Sequence, residues 1–328
     1  MKDKIRTAFI FHKDNIFLKG AHFDNTYYNF FIKALKRNDS LDVTNFPTDQ
    51  SFDTSVLKNN FDVILLWSNH EYGMPKKLEN IKKLDIPVIA RAADPGNAKK
   101  AVKKHREWKI DCYFHFLNES FFYELYPSHF KYKTIFYGIE PSLFENVVPF
   151  DQRIKTKILN SGAIGNTKFI SKIINSIRNP KWNALKCYKL RTKCVELPYV
   201  DYTSTLKHDY VNDRYPILLQ KYAAAIAANS YNPNMKYWEI AASGCLTFME
   251  ITEQNKGQFL GYEDDKHAIF INEENYQEKF QEYLDDPENS RWRKIAEAGR
   301  DYTIKNFNND TAVSSLVKLI KSTMSKLI

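Results

Sequence analysis

Short buried apolar runs alternate with segments of helical spacing along the whole chain, and this alternation restricts it to parallel α/β folds. In the first half Ile5–Phe11, Leu41–Phe46, Val63–Trp67, Pro87–Ala90, Cys112–Phe116 and Thr134–Tyr137 read as strands. Between them, Tyr27–Lys36, Leu78–Leu84 and Phe121–Tyr126 place apolar residues three and four apart, the helical period, and Lys99–Trp108 also reads as helix. Parallel strands need a long crossover between them, and these helices supply it. The pattern pauses over Asn146–Arg153, a hinge by composition, and restarts at the strand Lys157–Asn160. Beyond it we expect a helix over Phe169–Ile177, a strand and loop over 181–200, and a helix closing at Ile217–Gln220. Tyr222–Ala228 is a small-residue strand or a tight packing element, strands follow at Leu246–Met249 and Ala268–Ile271, and helices lie near 275–285, 290–306 and 311–327. A chain of 328 residues suggests two domains, and 43% hydrophobic content is enough for two cores.

One stretch, Lys236–Phe248, has a sharper local design. Tyr237, Ile240 and Ala241 lie on one helical face, Gly244 stands where a left-handed cap ends a helix, and an apolar strand follows. Glu239 is then a carboxylate inside a small packed helix. It has two readings: acceptor for a diol such as the ribose hydroxyls, or partner of Lys236 three residues earlier. Asn234 is a candidate cap for this helix, whose first-turn amides and Lys236 would attract an anion such as a diphosphate. Ser161–Asn166 is a strand-to-helix turn with two glycines, Gly162 and Gly165, that would let a ligand approach the backbone; Lys168 follows it.

The Lys236–Phe248 pattern (basic residue, aromatic, Glu, small residues, Gly, apolar strand) resembles the nucleotide-sugar signature of GT-B glycosyltransferases of the group-1-like, CgeB-like branch. The likeness continues through Gly261–Glu263, Ala268–Phe270, Tyr283–Asp286 and Ile295–Arg300, and Gly138–Phe144 resembles the end of the first half in such enzymes. It implies two doubly wound Rossmann-like domains facing a central cleft: 1–150 on the acceptor side, 151–310 on the nucleotide-sugar side. A final helix, 311–328, would pack back on the first domain. The donor-binding residues it implies are Glu239, Lys236, Asn234, Tyr231, Gly162 and Lys168. Tyr231 stands eight residues before Glu239, where many retaining relatives carry another glutamate. Stereochemistry therefore stays open.

Ligands of doubly wound sheets bind at the carboxyl ends of the strands, so the loops after Val63–Trp67 and Pro87–Ala90 are where a general base is expected. His70, Glu71 and Asp94 are the candidates, with Lys19 and His22 on the acceptor side of the first strand–helix loop. Asp94 precedes a proline and has turn-making as its plain role. No metal is expected, since Asp264 and Asp265 are adjacent rather than spaced as in metal-binding glycosyltransferases, and no cofactor beyond the nucleotide-sugar is implied.

The four cysteines form no paired motif, and buried thiols in a reducing cytoplasm are the expectation. Met1–Arg6 lacks the apolar core of a signal peptide. The net charge of +9 favours anionic partners. Its local cluster, Lys99 to Lys109, is either a solvated helix face or a contact for an anionic membrane surface. Three function classes fit. The first is sugar transfer from a nucleotide diphosphate to a glycan, lipid, protein or small molecule. The second is nucleic-acid binding, alone or in a DNA-modifying glycosyltransferase, for which no nucleic-acid motif is present. The third is a nucleotide-binding scaffold without turnover.

Overall fold

In the computed structural model, which describes residues 4–14, 31–69, 73–165, 184–203 and 214–325, every strand pairing is parallel. The chain divides into two units, Met1–Glu140 with Asn309–Ile328, and Pro141–Asn308.

The first unit contains β1 (Ile5–His12), α1 (Ile32–Arg37), β2 (Leu41–Thr48), β3 (Ser51–Asp53), β4 (Val63–Leu66), β5 (Lys77–Glu79), β6 (Val88–Arg91), α2 (Ala98–Glu107), β7 (Cys112–His115), α3 (Glu119–Leu125) and β8 (Tyr132–Thr134). Its main sheet runs β2-β1-β4-β6-β7-β8, and β3 pairs with β5 in a separate ribbon. Residues of β4 and β6 are almost all buried, as expected of strands covered on both faces.

The second unit contains β9 (Ile154–Ser161), α4 (Ala184–Cys187), α5 (Lys189–Cys194), β10 (Val200–Thr203), α6 (Tyr215–Leu219), β11 (Tyr222–Ala227), α7 (Lys236–Ala242), β12 (Leu246–Glu250), β13 (Ile269–Ile271), α8 (Tyr276–Asp285) and α9 (Ser290–Phe307). The sheet order is β10-β9-β11-β12-β13. Four alanines of β11, Ala223, Ala224, Ala225 and Ala227, are fully buried and let helices approach both faces. Trp238 of α7 stacks on Phe307 at 5.3 Å, and Gly299 of α9 is required because a Cβ there would lie 2.1 Å from the His267 carbonyl oxygen. The last helix, α10 (Asn309–Met324), belongs to the first unit and packs on α1.

In each sheet the first strand has its successor on one side and a later strand on the other: β2 and β4 flank β1, and β10 and β11 flank β9. The strand order reverses there, and such switch points open a crevice at the strands' carboxyl ends.

Three expected elements differ. Leu78–Leu84 is not a helix: Lys77–Glu79 is a strand and Ile81–Lys83 a single tight turn. Asn80 between them is left-handed, with φ of 61°, a conformation that asparagine tolerates and a helix interior does not. The 181–200 segment, expected as strand and loop, folds from Ala184 as α4, α5 and then β10. Cys187, Leu190 and Cys194 are buried at a helical spacing of three and four. The strand expected at Thr134–Tyr137 pairs instead at Tyr132–Thr134, because Tyr132 anchors it through hydroxyl bonds to the His115 and Leu117 carbonyls. Helix α1 starts only at Ile32, after Phe31 in a left-handed conformation; the helix expected at Phe169–Ile177 lies outside the described residues.

Candidate functional site

The switch point of the second unit gathers two cations and an acid. Gly162, just past β9, has φ of +99°, which only glycine adopts without strain. A Cβ there would stand 2.6 Å from Lys236 Cε and 3.1 Å from Arg191 Nη2. The missing side chain is therefore what admits both cations to this loop.

Arg191 lies on α5 at 1% exposure. Its Nε donates to Asn160 Oδ1 at 3.1 Å, its Nη2 donates to the Ser161 carbonyl, and the Asn160 amide donates to the Arg191 carbonyl at 2.9 Å. These bonds orient the guanidinium, but no carboxylate among the described residues pairs with it. Burial pulls its pKa below the usual arginine range. Lys236, at the start of α7, donates to the Tyr215 hydroxyl at 3.0 Å and sits 4.5 Å from that ring's centre. Tyr215 is held in turn by Ser161 Oγ at 2.5 Å. Burial, reinforced by the Arg191 charge, lowers the Lys236 pKa to about 8.

Glu239 is 2% exposed, and its Oε1 has no hydrogen-bond partner among the described residues. Burial raises its pKa to about 7, with the Lys236 charge acting the other way. The ammonium of Lys236 goes to Tyr215 rather than to this carboxylate, so the salt-bridge reading of Glu239 has no direct contact behind it. Asn234 Oδ1 accepts from the Lys236 amide at 3.1 Å, one residue ahead of Met235, which holds the cap position of α7. The next amides, of Tyr237, Trp238 and Glu239, donate to the carbonyls of Asn234 and Met235. The first turn is thus already bonded, and the attraction for an anion resides in the two cationic side chains. Tyr231 is half-buried in the loop after β11, its amide on Asn229 Oδ1 at 3.0 Å. That loop is fixed by Glu250, which accepts from Ser230 Oγ at 2.8 Å.

In the first unit, Asp94 follows β6 in a turn closed by the Asn97 amide on its carbonyl at 2.8 Å. Its side chain is 67% exposed and stands 3.8 Å from His115 Nε2. His115, at the end of β7, is fully buried with neither ring nitrogen hydrogen-bonded among the described residues, and burial with the nearby Arg91 charge holds its pKa well below the usual histidine range. Arg91 donates to the Trp67 carbonyl at 3.0 Å and lies 4.7 Å from the Trp67 ring centre. Asn69 accepts from the Ala93 amide at 2.6 Å, with its own amide buried and unpartnered among the described residues. Lys19, His22, His70, Glu71 and Lys168 lie outside the described residues.

Sequence reasoning missed Arg191, Tyr215 and His115. Arg191 comes from a segment whose helical spacing was partly hidden by Lys189, Thr192 and Lys193, and Tyr215 opens the helix expected to close at Ile217–Gln220. His115 sits at a strand's carboxyl end, the same rule that pointed to Asp94.

Residues 180–318 match the family described as glycosyl transferase-like. No curated protein matches the chain significantly. Among solved structures, sucrose-phosphate synthase from Thermosynechococcus elongatus is similar with a TM-score of 0.60 at 12% identity, over 98% of this chain and 100% of that one. A glycosyltransferase from Rickettsia africae gives 0.55 at 12%, over 98% and 99%. HepE of Anabaena, in complex with UDP-glucose, gives 0.52 at 12%, over 97% and 100%. At these identities the structures establish the fold, and the family match bears on the segment that holds Arg191, Lys236 and Glu239. Together they give the chain the GT-B fold and mark residues 180–318 as glycosyl transferase-like.

Proposed function

We propose that the second unit binds a UDP-sugar and that the protein transfers its sugar to an acceptor hydroxyl without a metal ion. The observation that supports this most is the meeting of Arg191 and Lys236 at Gly162, neither ion-paired with an acid among the described residues, one helical turn from a buried carboxylate with an oxygen unpaired among them. Two buried cations side by side destabilise each other until an anion arrives. A diphosphate supplies that anion, and Glu239 accepts from the ribose hydroxyls. As the bond from sugar to diphosphate breaks, negative charge grows on the leaving oxygen, where Lys236 and Arg191 stabilise it. The acceptor hydroxyl gives its proton to a base of the first unit. Asp94 is the described candidate for that base, with its accessible carboxylate over the neutral His115. Uridine is favoured because the similar HepE structures hold UDP or UDP-glucose. The free buried cysteines support a reducing, cytoplasmic setting, and none of the described helices is long and apolar enough to cross a membrane.

Thermal denaturation of the wild type and Glu239→Ala with UDP, GDP, ADP and TDP tests the reading. A nucleotide at about 100 times its dissociation constant adds about 2.7 kcal/mol. UDP is expected to stabilise the wild type and not the variant. Stabilisation by none of the four would remove the proposed donor site.

A further inference from the structure

The net charge of this chain is concentrated in one part of the first unit. From Lys76 to Lys109 the sequence has eleven Lys or Arg against four Asp or Glu, a balance of +7 in a chain of +9. The fold gathers most of these charges onto neighbouring surface segments. Helix α2 buries Ala98 and Ala101, while Lys99, Lys103 and Arg106 share an exposed stripe with Lys100 beside it. Lys104 donates to the Lys76 carbonyl at 3.3 Å and Lys109 to the Leu84 carbonyl, which sets the 76–84 segment along the helix. On that segment Lys76, Lys77, Lys82 and Lys83 are exposed. Its other side is tied to the Thr54–Leu57 turn: Thr54 Oγ1 donates to the Glu79 carbonyl at 2.7 Å, and Asn80 Nδ2 donates to Asp53 Oδ1 at 2.9 Å. That turn presents Val56, at 56% the most exposed large hydrophobic residue among the described residues, with Lys58 two positions on.

None of these nine exposed cations forms an ion pair with a described residue; the half-buried Lys104 pairs with Glu107. Of the exposed acids nearby, Asp53 is engaged by Asn80 and the Ser55 amide, and Glu107 by Lys104; Glu79, Asp85 and Asp94 remain. The surface therefore keeps a positive excess with an apolar side chain at its margin.

We propose that this face docks on an anionic lipid bilayer, with the lysines over the headgroups and Val56 in the interface. Lysine is a flexible point charge suited to a diffuse anionic layer, and an exposed apolar residue beside basic ones gains from the headgroup boundary. A nucleic acid fits less well: no Phe, Tyr or Trp among the described residues of this unit is exposed to stack on a base.

Sedimentation of the full chain with vesicles tests this. One set is phosphatidylcholine alone, and in the other about a third of the lipid is phosphatidylglycerol. Binding is expected only to the second set, and it should fall as salt rises. Each cation near an anionic leaflet contributes about five-fold in partitioning. The variant Lys99→Gln, Lys100→Gln, Lys103→Gln, Arg106→Gln should thus bind about a hundred-fold or more weakly. Its melting temperature and its response to UDP should be unchanged, which separates this surface from the donor site. Equal binding to both vesicle sets, no loss in the variant, or salt-sensitive binding to duplex DNA without vesicle binding would overturn the proposal.

Discussion

Lys236 and Glu239 are each held away from their charged form by burial, and the consequence for stability has a definite sign. Glu239 titrates near 7 in the folded chain against an ordinary value of 4.5. Between those values the folded state keeps a proton that the unfolded chain has released, so stability falls as pH rises through the window and stays lower above it. Lys236 titrates near 8 against 10.5; there the unfolded chain holds the extra proton, and stability rises with pH across that range. The ligand-free protein should therefore carry its largest electrostatic burden between about pH 7 and 8, where both side chains are charged. Glu239→Gln should raise the unfolding free energy at pH 8, measured by denaturant titration, by an amount on the order of 1–3 kcal/mol, and the gain should vanish toward pH 4.5. A pH-independent gain would mean that Glu239 is not the titrating group. UDP binding should reverse the Lys236 shift, since an anion beside the ammonium favours its charged form. Calorimetry near pH 8.5, in buffers of different ionisation enthalpy, should show proton uptake that Lys236→Met abolishes.

At the scale of elements, the Gly162 turn and the start of α7 act as one device. Gly162→Ala must adopt φ of +99° and push against Lys236 Cε at 2.6 Å. The backbone term alone is about 1–2 kcal/mol, and moving Lys236 off Tyr215 should also weaken UDP binding, which a titration followed by tryptophan fluorescence or calorimetry would measure. Normal UDP affinity in a destabilised Gly162→Ala would show that the glycine serves only the turn. These two elements were readable in the sequence because their signals are local: a glycine after an apolar run, an acid inside a small-residue helix, a left-handed Gly244 with φ of +74°. Arg191 was not, because its place beside Gly162 depends on α5 packing over β9, and its own segment read as strand and loop. The parallel order of strands followed from alternation. The ribbon formed by Ser51–Asp53 and Lys77–Glu79 did not, since Leu78, Ile81 and Leu84 are three apart and imitate a helix. Periodicity reports which residues are buried, and it cannot separate a helical turn from a strand followed by a tight turn when both bury every third residue.

For the whole molecule, the chain's return to its first unit rests on a small polar knot and an apolar stripe. Asn309 is buried, accepts from the Gly138 amide at 2.8 Å, donates through its side chain to Glu140 at 3.2 Å and through its backbone to the Ile139 carbonyl at 2.8 Å. Arg37 of α1 spans Glu140 and Asp310, each at 2.6 Å. Beyond the knot, Val313, Leu316 and Ile320 of α10 are fully buried. The knot fixes where α10 begins, and the stripe supplies its adhesion. Asn309→Ala leaves the buried Gly138 amide without its partner and Glu140 Oε2 with Arg37 alone, a cost of about 1–3 kcal/mol for an unsatisfied buried polar group. That cost belongs to the first unit alone. Hydrogen exchange of Asn309→Ala should therefore show faster exchange in α1 and α10, with β9, β11 and β12 protected as in the wild type. Removing the chain after Asn308 should carry the effect further: the first unit loses an apolar face of its core, while the second keeps every strand of its sheet and the Arg191, Lys236 and Glu239 constellation. The truncated protein should still be stabilised by UDP although its first unit exchanges freely. Loss of the UDP response together with first-unit protection would show that the two units are one cooperative structure.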